Sequence, residues 1–141
     1  MEVSYVRNRL RNAIEAARHR AAAHRQHVAD AEQAFTAFLE MATPVLRQLA
    51  NALRVEGHAF TLFTPERALR LASDRSPRDF IELALDSTGE RPQVVGRISH
   101  SRGSRTRDEE LSVKQGVAIE SITENDVLEF LLAALEPWLE R

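Results

Sequence analysis

A heptad pattern of apolar residues runs through residues 10–52, LRNAIEAARHRAAAHRQHVADAEQAFTAFLEMATPVLRQLANA. The apolar positions alternate in steps of three and four, which places one narrow apolar face along a long helix. Such a face must be buried against another helix, so the pattern predicts an oligomer seam and an assembly role rather than a catalytic one. The seam consists of Leu10, Ile14, Ala17, Ala21, His24, Val28, Ala31, Phe35, Phe38, Ala42, Val45, Leu49 and Ala52.

The helix that carries this seam is predicted to begin near residue 2 or 3 and to end near residue 55, where Gly57 favours a stop. Thr43 and Pro44 interrupt it, because threonine can cap a new helix and proline suits a first helical position. The apolar spacing stays in phase across Pro44, which favours a kinked or nearly collinear helix over a tight hairpin. Such a helix spans about 75 Å, more than a domain of this size encloses, so we expect a second copy or another protein to cover its apolar face.

After Gly57 the apolar period changes from that of a helix to that of short strands. Strands are predicted at residues 59–63, 79–85 and 93–99 and around Leu111, and residues 69–71 favour a further strand over a helix start at Thr64. Thr123 and Asp126 are close to a capping-box pattern and begin a final helix. The predicted fold class is α+β: a helical oligomerisation arm at residues 1–56, then an antiparallel meander of four or five strands and a C-terminal helix at residues 57–141.

The composition is typical of a soluble folded protein, since 43% of the 141 residues are hydrophobic and 28% are charged. The absence of cysteine excludes disulfides and thiolate chemistry, and no apolar run approaches the roughly 20 residues of a membrane span. We therefore expect a cytoplasmic protein with no membrane contact and no cofactor. Residues 1–55 hold eight arginines against five acidic residues, whereas the remainder is acidic, and neither part resembles a strongly basic nucleic-acid-binding domain.

An arginine-rich segment at residues 99–107, SHSRGSRTR, has the most unusual local composition. It is predicted to be an exposed loop. Arg102, Arg105 and Arg107 either contact phosphate groups or are solvated and partly neutralised by the acidic residues 108–110. The segment has no aromatic side chain to stack on a base and no glycine-rich phosphate cradle, so a nucleic-acid partner is the less favoured alternative.

Three residues of the predicted arm have spacing that suits a metal site. His24, His27 and Asp30 are three residues apart and share one side of a helix, so they could bind a divalent ion if a second copy doubled them. The favoured interpretation is that His24 is a polar marker within the seam and that His27 is solvated. No metal is therefore predicted.

The C-terminal helix offers a candidate partner surface, because Phe130 and Leu132 broaden the apolar face that includes Trp138. Deeper burial is the alternative. Ser101 beside His100 is only adjacency and not a catalytic triad, so we expect no enzymatic activity. The leading hypothesis is a non-enzymatic adaptor or assembly subunit that forms a homodimer and binds a protein partner. The alternative is a nucleic-acid-associated regulator that contacts phosphate through the N-terminal arginines and those of residues 102–107.

Overall fold

The computed structural model describes residues 1–140 and shows a long helix, a sheet and a closing helix. The elements in chain order are α1 (Val3–Val55), β1 (Phe60–Phe63), β2 (Ala68–Ser73), β3 (Phe80–Asp86), β4 (Gln93–Arg102), β5 (Arg105–Ser112), a 3₁₀ turn (Ile119–Ser121) and α2 (Glu124–Leu139). The five strands form one sheet in the order β1-β2-β3-β4-β5, and every neighbouring pair is antiparallel. This arrangement confirms the predicted α+β class.

The first helix, α1, continues across Pro44, so the tight hairpin considered at this point does not form. Pro44 has no amide hydrogen, so this turn of the helix has one backbone donor fewer. In the same turn the Thr43 hydroxyl donates a hydrogen bond of 2.6 Å to the Leu39 carbonyl. The chain leaves the helix at Gly57, whose φ of +87° is a left-handed conformation that glycine adopts without strain. The amide of His58 then donates back to a carbonyl of the last helical turn at 2.8 Å. Glycine therefore ends the helix as the sequence predicts.

The hairpin between β4 and β5 replaces the predicted loop at residues 99–107. Arg102 pairs with Arg105 across the turn formed by Gly103 and Ser104, and Gly103 has a φ of +65°. Irregular structure is therefore confined to the two turn residues, whereas the exposure predicted for the arginines is confirmed: residues 102–107 are all exposed. A Gly-Ser pair between two segments of alternating residues is a hairpin signal, because glycine supplies the positive φ that a two-residue turn requires.

The core lies between one face of the sheet and the two helices. It contains Ala31, Phe35, Phe38, Ala42, Leu46, Ala50 and Leu53 of α1, Leu69, Leu71, Ile81, Leu83, Val94 and Ile98 of the sheet, and Val127, Leu131, Ala134, Leu135 and Trp138 of α2. Along α1 the buried positions move from the predicted Val45 and Leu49 to Leu46 and Ala50, and the predicted pair is only partly buried. The shift arises because a straight helix turns once in 3.6 residues, so a seven-residue repeat drifts by about 20° per heptad.

The second helix, α2, begins with a capping box. The Thr123 hydroxyl accepts a hydrogen bond of 3.1 Å from the Asp126 amide, and the Asp126 carboxylate accepts one of 3.0 Å from the Thr123 amide. Lys114 donates to the same carboxylate at 2.8 Å. The hydrogen bond from Lys114, together with those from Thr123, holds the pKa of Asp126 below its ordinary value. These contacts tie the start of α2 to the segment that follows β5.

Candidate functional site

The first half of α1 extends beyond the sheet as an exposed helix. We call residues 3–30 the arm and the described residues from Ala31 onward the head, because every residue from 3 to 27 is exposed and Ala31 is the first buried one. The arm is about 42 Å long at 1.5 Å per residue. Its heptad positions form one largely apolar face, interrupted by Arg7. We call the other positions of this face the arm stripe: Val3, Leu10, Ile14, Ala17, Ala21, His24 and Val28. Leu10 within it is 59% exposed, so the sequence-predicted seam is open along this part of the helix.

The remainder of the predicted seam is occupied by the head. Phe35 and Phe38 stack on each other with ring centroids 5.6 Å apart, and Phe35 has no exposed surface. Both rings pack against this chain's own sheet and α2, so they are not free to contact a second chain. The predicted seam from residue 31 onward is therefore corrected to an intramolecular contact, at Ala31, Phe35, Phe38, Ala42, Val45 and Leu49. The heptad pattern identified the buried face of the helix but not the element that buries it.

A groove of about 740 Å³ lies between α2 and the β4–β5 hairpin, on the same face of the sheet as the core. Its floor is apolar and includes Ile98, Leu111 and Phe130. Leu111 is 49% exposed, because α2 lies over β4 at Gly96 and leaves β5 at the edge uncovered. The ring of Phe130 occupies the position that a side chain on Gly96 would need. Glycine at this position thus lets α2 approach the sheet and sets one wall of the groove.

Three arginines line one end of this groove. In the strand register Arg107 lies opposite His100, and Arg105 lies opposite Arg102. Alternation along the strands places all four side chains on the face that α2 covers. Carboxylates on the rim, from Glu109, Glu136 and Glu140, partly balance the positive charge. The ion pair between Arg107 and Glu109 is long at 4.0 Å and exposed, so it contributes little stability. The arginines therefore remain accessible to an acidic ligand.

The structure separates the three residues of the predicted partner surface on α2. Phe130 lines the groove. Leu132 is two residues further along, which is a rotation of about 200° around the helix axis, so it is exposed on the opposite side of α2. Trp138 is only 5% exposed, so its assignment to a partner surface is corrected to a core position. Its ring meets Phe60 and His100 edge-on, with centroids 5.7 and 5.0 Å apart. Only Phe130 of the three belongs to a surface that a partner can reach together with the arginines.

A buried carboxylate, Asp79, holds Trp138 in place. The indole Nε1 of Trp138 donates to Asp79 Oδ2 at 3.2 Å, and the Ser101 amide donates to Asp79 Oδ1 at 2.6 Å. Both carboxylate oxygens are thus engaged, which is the condition for burying a charged group without a large penalty. Sequence reasoning treated Asp79 only as the start of a strand. We assign it a structural role that joins β3, β4 and α2.

The other face of the sheet carries a row of alternating charge. Arg70, Glu82, Arg97 and Glu110 are cross-strand neighbours on β2 to β5. Ion pairs of 3.3 Å between Arg70 and Glu82 and 3.8 Å between Arg97 and Glu110 join them. Glu82 is only 8% exposed, because Arg70 covers it while stacking 4.1 Å above the ring of Phe80. This face is largely self-neutralised, so it offers a partner few unbalanced charges.

The histidines of the arm do not form a metal site within residues 1–140, where no group of three or more His, Asp or Glu side chains is arranged to hold an ion. His27 and Asp30 instead line a cleft of about 620 Å³ where the arm meets the head, with Glu90 and Glu120 on its other side. We call this the arm-base cleft. Over the same described part of the chain, no helix is both long and apolar enough to cross a lipid bilayer.

The architecture defines an α+β protein with a helical arm and an antiparallel meander closed by one helix. No protein-family model, curated protein or solved structure matches the chain. Its function is therefore inferred from the two surfaces described above, the arm stripe and the groove.

Proposed function

We propose that this chain is a non-enzymatic assembly subunit that forms a dimer through its arm and binds a protein partner through its groove. The arm stripe is the observation that supports the proposal best. Most of the stability of a protein helix comes from packing of its amphipathic face, whereas the large apolar side chains of the arm stay exposed at Val3, Leu10 and Ile14. Pairing with a second arm buries those side chains and stabilises the helix at the same time.

The expected energy of pairing supports a dimer. Val3, Leu10, Ile14 and Val28 are the large residues of the arm stripe, and full burial of each contributes about 1.5–3 kcal/mol. Two arms together therefore gain at most roughly 12–24 kcal/mol before the cost of association is subtracted. That cost is about 4–15 kcal/mol, so a net gain remains over most of the range. Ala17 and Ala21 add little area but allow the two helices to approach closely.

A charge placed in the arm stripe is expected to break the dimer. Leu10→Glu should weaken self-association by at least about 100-fold, which corresponds to about 2.7 kcal/mol, because it buries a carboxylate in an apolar seam. Asn12→Glu is the matched control, since residue 12 lies on the opposite side of the helix and is exposed in either state. Sedimentation equilibrium measures both variants. A wild-type chain that stays monomeric well above about 100 µM would contradict the proposal.

The groove fits a peptide segment with apolar side chains followed by a carboxylate. Ile98, Leu111 and Phe130 supply the apolar floor, and the arginines at one end can bind carboxylates through paired hydrogen bonds. Aromatic residues and arginine are also the types enriched where proteins bind one another. The three arginines are matched by three rim carboxylates, so the groove lacks the net positive charge that a polyphosphate requires, whereas a single carboxylate can pair with one arginine. An acidic, apolar protein segment is therefore favoured over nucleic acid.

Selection from a displayed library of random peptides tests the groove. We expect the full chain to enrich peptides that combine apolar residues with aspartate or glutamate, and Leu111→Glu or Arg105→Glu to weaken their binding at least tenfold, about 1.4 kcal/mol. Leu132→Glu is the matched control, because Leu132 is also exposed but lies outside the groove. No enrichment, or equal losses in all three variants, would remove the groove from the proposal. Salt-dependent binding of a single-stranded oligonucleotide that requires Arg105 would support the phosphate-binding alternative instead.

A further inference from the structure

We infer that two arms pair antiparallel, so that the first turn of each arm lies at the arm-base cleft of the partner copy. The inference rests on the proposed self-association and adds the direction and register of the pair. It names a second copy of this chain as the occupant of the arm stripe. Three observations support it: the side of α1 on which the head sits, the sizes of the residues along the stripe, and the length of the arm.

The head blocks a parallel pair. His24, Ala31 and Phe38 are seven residues apart, as are Val28 and Phe35, so the head packs on the same face of α1 that the arm stripe occupies. In a parallel pair the partner's helix would continue along this face past residue 31. That space is filled by this chain's own sheet and α2. In an antiparallel pair the two arms lie side by side and each head lies beyond the first turn of the partner's α1, so neither head has to move.

Residue sizes along the stripe favour the antiparallel register that places Leu10 opposite Ala21. The same register places Ile14 opposite Ala17, Val3 opposite Val28 and Arg7 opposite His24, so it has one polar layer at each end of the central apolar ones. Each of the two central layers then combines one large residue with one alanine, which keeps the spacing between the helices even. A parallel pair would place each residue opposite its own copy, so leucine would face leucine and alanine would face alanine. The distance between the helix axes would then have to be large at the leucine layer and small at the alanine layers, within two heptads. A parallel pair would also place two copies of His24 in contact.

The arm ends where this register requires it to end. With Val3 opposite Val28, the helix of the partner begins beside the arm-base cleft, at the level of Asp30. The cleft is lined by the carboxylates of Asp30, Glu90 and Glu120 and by the cations of Arg91 and Lys114, so its excess of one negative charge gives the positive end of the helix dipole only a small electrostatic attraction. Two stripes of this length bury roughly 900–1,050 Å² in total, if one third of each helix surface is covered. This area is below the lower limit for a stable interface, about 1,200 Å², so the contact with each cleft has to supply the remainder.

Distances between spin labels test the direction and register of the pair. The chain has no cysteine, so Asn12→Cys and Gln26→Cys each accept a single nitroxide on the side of the arm away from the stripe. In the proposed register the two copies of residue 12 are offset along the helix by about 10 Å, and those of residue 26 by about 32 Å. Pulsed electron paramagnetic resonance on the full chain should therefore give a distance at least about 10 Å longer for residue 26 than for residue 12.

Each other outcome contradicts a defined part of the inference. Equal distances at the two positions would indicate a parallel pair and overturn the inference, while self-association would stand. A longer distance at residue 12 than at residue 26 would keep the antiparallel direction but overturn the register. No spin–spin interaction at either position, with a monomer in sedimentation, would overturn both the inference and the proposed dimer.

Discussion

Replacing Phe35 with alanine is expected to lower the free energy of unfolding by about 3–5 kcal/mol. The ring has no exposed surface and packs among α1, the sheet and α2, so its removal leaves a cavity in the core. Chemical denaturation measures the loss. Wild type and variant are compared at one protein concentration, because the apparent stability of a dimer depends on its concentration. Phe63→Ala is the matched control, since Phe63 is 51% exposed at the end of β1, and its substitution should change stability by less than about 1 kcal/mol.

The same pair of variants separates the two roles that the sequence allows for Phe35. If Phe35 formed an intermolecular seam, the alanine variant would dissociate the dimer and leave the head folded. The structure places it in the core, so the variant should unfold the head at lower denaturant concentration whether or not the arm pairs. A Phe35→Ala variant that is as stable as the wild type but monomeric would contradict the packing described here.

Periodicity in α1 predicted which face of the helix is buried but not what covers it. Spacing alone is the same at Leu10, which is exposed, and at Phe38, which the head buries. The heptad pattern is the same whether the helix packs on its own chain or on a second chain, because either contact removes one apolar face of the helix from water. Residue size gave the only local indication, since aromatic residues at the stripe begin where the head does.

The groove could be predicted only in part. The Phe130 side of α2 and the arginines of residues 102–107 were each identified from composition. Their convergence depends on the β4–β5 hairpin, which brings Arg107 opposite His100 and turns the arginines toward α2. Alternation at Arg105 and Arg107 contained this information, because residues two apart share one face of a strand. The loop-like composition of the segment outweighed that signal.

The contact between Asp79 and Trp138 had no local signal at all. The two residues are 59 positions apart, and a single aspartate before an alternating strand is ordinary in sequence. Polar pairs of this kind arise only when the complete fold places a donor beside an acceptor in the core. Their effect on stability can nevertheless be large, because each group that loses its partner remains buried.

Asp79→Ala is therefore expected to lower the free energy of unfolding by about 2–5 kcal/mol, because it leaves the Trp138 indole and the Ser101 amide without their acceptor. Asp79→Asn keeps one acceptor oxygen and should cause a smaller loss. Asp74→Ala is the matched control: Asp74 accepts hydrogen bonds from Thr61 at 2.6 Å and from Arg54 at 3.0 Å on the exposed surface, where water can replace them, so its removal should cost clearly less than that of Asp79.

Trp138 is the only tryptophan in the chain, so its fluorescence follows denaturation in all three variants and reports its surroundings in the folded state. In Asp79→Ala we expect the native emission to change, while Asp74→Ala should match the wild type. Equal stability of the two alanine variants would show that the buried carboxylate contributes no more than a surface ion pair. The joint between β3, β4 and α2 would then depend on the packing of Trp138 against Phe60 and His100 rather than on its hydrogen bond.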